Sequence, residues 1–388
     1  MKKNILLVAM PDSIHTVRWI KQIPSQEWII HLFSSTSVES PHPELTGATM
    51  QYSALSIWRN RLQLMGLPGI ASIIDWIRRH HERKFPNHRA QTLRNTIRKL
   101  RPVLIHSIEM QSAGYLTLEA KNTYQGKFPP WIVTNWGSDI FLFGRLDAHS
   151  NKIHQVLSQC NYYSCECQRD VELAKAFGFN GTTLPVFPNT GGFDLNDLTR
   201  FRKKKTSDRR LIMLKGYQNW AGRALVGLRA LERCAELLAG YEIAIYSGSP
   251  DVEIAAELFS QNTGINIRLI PNDTPHHEIL KMHGESRISI GISISDAIST
   301  SLLEAMVMGS FPIQSCTACA NEWIEHGLSG LIVPPEDPEI IERAIRSALT
   351  DDELVNKAAE INWHSALARL DNVILKKQVS DFYRLVPV

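Results

Sequence analysis

Apolar runs of strand length alternate with helix-patterned segments along this chain, and the alternation breaks once and starts again. Residues 4–10 are a buried run that ends at Pro11-Asp12, and residues 15–23 read as a helix capped by Asp12 or Ser13. Further strand signals fall at 28–34, 103–106, 131–135, 162–165 and 183–187, with a helix at 169–177. Strands separated by helices at this spacing indicate a parallel sheet covered on both faces. Pro188-Asn189-Thr190-Gly191-Gly192 and the basic run at 200–205 interrupt the pattern and read as an inter-domain linker. Strands are then expected at 211–214, 242–246, 266–270, 288–292 and 311–314. Helices are expected at 223–238, 252–261, 275–283, 301–308, 321–326, 338–350 and 352–370. The expected fold is α/β, with two Rossmann-like doubly wound domains at 1–195 and 196–370 facing across a cleft. A last helix within 371–388 returns to the first domain. Open α/β sheets bind ligands outside the carboxyl ends of their strands, so such a cleft is the place to look for a site.

Composition narrows the class. With 44% hydrophobic and 21% charged residues, the 388-residue chain is ordinary soluble globular protein. No run approaches the roughly 20 apolar residues of a membrane span, and the N-terminal run is a strand rather than a signal h-region, so a cytoplasmic location is expected. The six scattered cysteines read as reduced and structural. The net charge is only +3, yet nine Lys or Arg (Arg78, Arg79, Arg83, Lys84, Arg89, Arg94, Arg98, Lys99, Arg101) cluster with one acid, Glu82. Upstream lie Trp58, Leu62, Leu64, Met65, Leu67, Ile70, Ile73, Ile74, Trp76 and Ile77. The stretch 78–101 is either a solvated helix face or a contact with an anionic membrane surface or lipid-linked acceptor. A nucleic-acid partner is not expected, for no recognition motif accompanies the charge.

Residues 295–309 (SDAISTSLLEAMVMG) carry the chemistry. A strand ends, hydroxyl residues follow and a helix opens, which aims free amides and the positive helix end at a phosphate. Asp296 in the loop and Glu304 in the first helical turn are expected to reach one ligand, and a carboxylate suits the two hydroxyls of a ribose. Ser301 with Glu304 also fits a capping box, which is a purely structural alternative.

The segment resembles the signature of the family-4 retaining glycosyltransferases of the GT-B fold (glycosyltransferase group 1): an acid, seven residues, a glutamate, then Ala-Met-x-x-Gly. The downstream part stands here as Asn321-Glu322-Trp323-Ile324-Glu325-His326-Gly327-Leu328-Ser329-Gly330-Leu331-Ile332-Val333. The resemblance implies that Glu304 holds the ribose and that Asp296, Ser299, Thr300 and Ser301 line the sugar and phosphates. Lys215 and Arg223 resemble the two cations that grip the donor diphosphate, in swapped order. Ser13 and His15 sit in the loop that borders donor phosphates in the family. His106 stands where the family often places a histidine near the acceptor. Thr134-Asn135-Trp136-Gly137-Ser138-Asp139 resembles Thr-x-His-Gly-x-Asp, with Trp136 for the usual histidine and Asp139 as a sugar or acceptor contact. The departures at Asp296, Ser299 and Trp136 bear on which sugar is carried.

The implied activity is retaining transfer from a nucleotide-sugar donor, held by the second domain, to a glycan or lipid-linked acceptor, held by the first. Bacterial surface polysaccharide or lipopolysaccharide is the implied destination. Lys215, Arg223 and the helix end at Ser301 would stabilise the leaving diphosphate, so no metal or other cofactor is expected. The alternatives are an epimerase or hydrolase on the same fold, or a non-catalytic membrane-associated binding subunit. Donor base, acceptor and oligomeric state are not readable.

Overall fold

The apolar runs form two parallel sheets. The structure is a computed structural model that describes residues 2–37, 40–52, 65, 68–85, 87–189, 191–202 and 204–387. Trp58, Leu62, Leu64, Leu67 and Thr190, and the side chains of Arg78, Arg79, Glu82 and Arg83, lie outside the described part.

The first unit comprises Met1–Gly191 and Lys376–Val388. Its strands are β1 (Lys3–Ala9), β2 (Trp28–Ser34), β3 (Ala48–Gln51), β4 (Leu104–Ile108), β5 (Trp131–Thr134), β6 (Tyr162–Ser164) and β7 (Thr182–Thr183), in the order β3-β2-β1-β4-β5-β6-β7. The order reverses between β1 and β4, whose side chains from Ile5 to Val8 and Leu104 to Ser107 are fully sealed from solvent. The strand expected at 183–187 shrinks to two residues because Pro185 and Pro188 have no N–H to give to a ladder.

The second unit comprises Gly192–Leu375. Its strands are β8 (Leu211–Lys215), β9 (Glu242–Tyr246), β10 (Asn266–Leu269), β11 (Ser286–Gly291), β12 (Phe311–Ser315) and β13 (Leu331–Val333), in the order β10-β9-β8-β11-β12-β13. Here the order reverses between β8 and β11. Gly192 has φ +70°, and a Cβ on it would lie 2.8 Å from the Asn372 Cα, so only glycine fits where this segment runs beside the last helix.

The linker expected over residues 189–210 is not a free tether. Beyond Gly191 it packs into the second unit and closes the carboxyl end of the helix Thr300–Met308. Arg202 donates to the Met306, Val307 and Ala359 carbonyls, Arg209 to the Met308 and Ser286 carbonyls, and Thr206 Oγ1 to the Gly309 carbonyl. That helix is buried along its whole length from Ser301. Water cannot satisfy its last carbonyls, so guanidinium donors do, and they also complement the negative helix end.

Candidate functional site

In the second unit the candidate residues gather on the loops after β8 and β11, neighbouring strands whose carboxyl ends lie on the same side of the sheet. The loops are knitted together. Arg223 N donates to the Ile292 carbonyl at 2.9 Å and Ile294 N to the Ala221 carbonyl at 2.9 Å. Asn219 Oδ1 folds the first loop by accepting from Ala221 N and Gly222 N.

Lys215 ends β8 half-buried, its Nζ 4.7 Å from the centre of the Tyr217 ring. It makes no hydrogen bond or ion pair among the described residues, which leaves a fixed positive charge unclaimed. Arg223 differs, for it donates to Glu336 Oε1 at 3.0 Å and to the Asn219 and Gly222 carbonyls. It stiffens the loop, and only part of its charge is left over.

The helix Thr300–Met308 starts from Ser299, whose side chain caps nothing. Instead the Ser299 and Ser301 hydroxyls bond each other at 2.7 Å. The capping-box alternative therefore does not hold: Ser301 is not the cap, and Glu304 sits in the second turn rather than the first. The amides of Thr300 and Ser301 have no acceptor among the described residues, as a phosphate site at a helix start requires. Asp296 is half-buried in the loop, its Oδ1 accepting from Ala297 N at 2.9 Å.

Glu304 is 5% exposed and faces the preceding helix, His276–Glu285. His276 Nε2 lies 2.6 Å from its Oε1 and His283 Nε2 3.5 Å from its Oε2. Burial of this carboxyl opposes ionisation, but the two imidazoles outweigh it and hold the group well below the usual carboxylate range. Neither histidine carried a sequence signal that separated it from an ordinary helix residue.

In the first unit Ser13, His15, Trp136 and Asp139 come together on the loops after β1 and β5. Ser13 caps the helix Ile14–Gln22 by accepting from His15 N. The His15 ring packs edge-on against Trp136, with centroids 5.5 Å apart. Asp139 is 5% exposed, and its Oδ2 accepts from Trp136 N and Met110 N, both at 3.0 Å. Burial, then the nearby charge of Glu109, pushes its carboxyl up to about 8, against the pull of the two amides.

Glu109 was missed from the sequence. It follows β4 with φ 82° and ψ 145°, a backbone region that is nearly glycine's alone. Its carboxylate accepts from Ser112 N at 2.8 Å and Ala113 N at 3.3 Å, and the helical turn these bonds create presents Met110 N to Asp139. An acid directly after a buried strand was the only available hint.

His106, expected at the acceptor, is not at an accessible site. It is fully buried, with Nδ1 2.8 Å from Tyr383 Oη and Nε2 2.6 Å from Thr134 Oγ1. Trp19 Nε1, a donor only, gives its proton to Tyr383 Oη, the same hydroxyl that shares a hydrogen bond with His106 Nδ1. Burial drops its pKa to about 3, so it stays neutral and ties the C-terminal segment to the sheet.

Two family models match the chain: Glycosyl transferase 4-like over residues 4–167 and Glycosyl transferases group 1 over residues 232–362. No curated protein sequence matches it. Solved structures match it over nearly full length at low identity. Sucrose-phosphate synthase from Thermosynechococcus elongatus has a TM-score of 0.69 at 13% identity, covering 99% of each chain. Anabaena HepE in complex with UDP-glucose gives 0.67 at 13%, covering 99% of this chain and 100% of that one. The UDP-forming α,α-trehalose-phosphate synthase from Burkholderia xenovorans gives 0.67 at 12%, covering 98% and 99%. With both of its halves matched and its two parallel sheets those of the GT-B fold, the chain belongs to the group 1 glycosyltransferases and is a glycosyltransferase enzyme.

Proposed function

We propose that the enzyme moves a sugar from a nucleotide-sugar donor to a glycan or lipid-linked acceptor, with retention at the anomeric carbon. The observation that carries this is the unclaimed Lys215 ammonium at the end of β8, on a loop bonded to the one that leads to the open Thr300 and Ser301 amides. Together they offer a diphosphate a cation and a helix start. Glu304, held ionised, can only accept, which suits the two donor hydroxyls of a ribose. Asp296 and Ser299 border the sugar, and Arg223 adds charge from the rim. In the first unit Ser13, His15, Trp136 and Asp139 handle the sugar and acceptor. The bond from the anomeric carbon to the phosphate oxygen breaks, and the acceptor oxygen bonds to that carbon on the same face. The acceptor's proton passes to the departing phosphate. Negative charge grows on the diphosphate, where the protein cations stabilise it without a metal. Surface polysaccharide or lipopolysaccharide is the destination the family suggests. A thermal-shift screen with UDP-, GDP-, ADP- and CMP-sugars tests the donor half, since a bound donor at 100 times its Kd stabilises by about 2.7 kcal/mol. No shift with any of them would remove the proposal.

A membrane surface as the place of work has its own support. The helix Pro68–Lys84 leaves Ile70, Ile73, Trp76 and Ile77 exposed, Trp76 by 63%, beside a sequence rich in Lys and Arg. No described helix is long and apolar enough to cross a membrane. Apolar side chains beside cations match the boundary of an anionic bilayer, where each cation adds about 1 kcal/mol. Replacing Arg78, Arg79, Arg83 and Lys84 with Gln should cut co-sedimentation with phosphatidylserine vesicles, and unchanged binding would overturn the membrane assignment.

A further inference from the structure

We propose that His276 is a displaceable latch on Glu304 that the nucleotide ribose opens. The proposal rests on the donor reading of Glu304 given above. Two imidazoles hold this carboxylate, and they are not equivalent. His283 is fully buried, fixed by Ser289 Oγ at 2.8 Å from its Nδ1 and by the Tyr246 ring packed edge-on at 5.6 Å. It approaches Glu304 from inside the unit and has no room to leave. The His276 side chain is 43% exposed, is the first residue of its helix, and approaches Oε1 from the solvent side at 2.6 Å.

The Glu304 side chain itself is only 7% exposed. His276 Nε2 occupies Oε1 at 2.6 Å, so a ligand that bonds this oxygen competes with the imidazole for it. Two ribose hydroxyls need both a path and lone pairs there, so His276 has to rotate away before they bond. A side chain on the first turn with an exposed ring can do so without disturbing the core. Once it has moved, Glu304 keeps its inner contact to His283, whose Nε2 lies 3.5 Å from Oε2 and has no other partner among the described residues. His276 is thus a competitor for the carboxylate, and His283 its permanent support. Burial favours the proton on Glu304, but the imidazole pair keeps it ionised and ready.

A competitor has an unusual sign. Removing it makes binding tighter, because apparent affinity is intrinsic affinity times the fraction of open molecules. If the latch is closed in about 80–90% of molecules, His276→Ala should bind nucleoside diphosphate about five- to tenfold more tightly than wild type. His276→Gln, which keeps an N–H at a similar reach, should return affinity towards wild type. The test is calorimetric titration of the full-length chain and its variants with UDP, GDP and ADP. Tighter binding by His276→Ala, reversed in His276→Gln, supports the latch. If Glu304→Ala loses binding while His276→Ala binds no tighter or more weakly, the latch falls and the ribose role stands. If no nucleoside diphosphate binds wild type, or Glu304→Ala binds as tightly as wild type, the donor reading falls and takes the latch with it.

Discussion

Asp139 and Glu304 are equally buried, each 5% exposed on an element that follows a parallel strand, and their surroundings drive them in opposite directions. Asp139 receives two amides on one oxygen but has the acid Glu109 near it, and its carboxyl rises to about 8. Glu304 has two imidazoles and stays ionised far into acid. Burial is common to both, so the partners decide. The first unit therefore holds a carboxyl that keeps its proton at neutral pH, and the second a carboxylate that only accepts. The same depth of burial thus leaves one carboxyl able to donate a hydrogen bond and the other able only to accept.

The most severe way to break the contrast is to remove the charges of the second unit. Lys215→Ala and Glu304→Ala should each lower transfer by about 10²–10³-fold, the size seen when one preorganised partner of a developing charge is lost. Circular dichroism should still show a cooperative fold. Wild-type turnover in either variant would end the assignment of these residues.

The next effect is one of stability, with opposite signs at the two carboxyls. Between pH of about 4, where a free aspartate titrates, and about 8, folded Asp139 keeps a proton that the unfolded chain has lost. Stability from this group is therefore full below the lower value and declines as pH rises to the upper one. Asp139→Asn should flatten that decline, read as melting temperature against pH, with each kcal/mol moving the midpoint by about 2–4 °C. Glu304 runs the other way: its contribution is present above about pH 4.3 and is lost as pH falls through its depressed folded value. An Asp139→Asn profile parallel to wild type would mean that Asp139 is ionised at neutral pH like any surface acid.

The two units also differ in what their sequence disclosed. The buried runs around Ile5–Val8 and Met213–Leu214 announced central strands, because a strand covered on both faces must be apolar throughout. The edge strand β3, whose residues are half-buried or exposed, has no such run and escaped notice. Residues 295–309 stood out since a strand, a hydroxyl loop and a helix start follow one another within a few positions. What could not be read was which side chains turn inward to meet. His106 looked like a site residue by position, yet Tyr383, 277 residues away, shares its Nδ1. His276 and His283 became visible only once their helix lay against the one bearing Glu304. Arg202 and Arg209 looked like parts of a solvated linker because helix ends 100 residues further on supply their acceptors.

The smallest expected effect tests whether the second unit is self-sufficient in charge. In the proposed transfer a nucleoside diphosphate leaves, and something positive has to meet the charge that grows on it. Lys215 is an unclaimed ammonium, Arg223 keeps N–H groups beyond its bond to Glu336, and the Thr300 and Ser301 amides add the positive helix end. Two of the carboxylates near them are already engaged by protein cations or imidazoles: Glu304 by His276 and His283, and Glu336 by Arg223. Adding EDTA in excess of contaminating metal should therefore change turnover by less than about twofold, while Lys215→Ala loses it by orders of magnitude. If EDTA instead silences wild type and Mg²⁺ or Mn²⁺ restores it, the cation that matters is a metal, and Lys215 is demoted from leaving-group stabiliser to support.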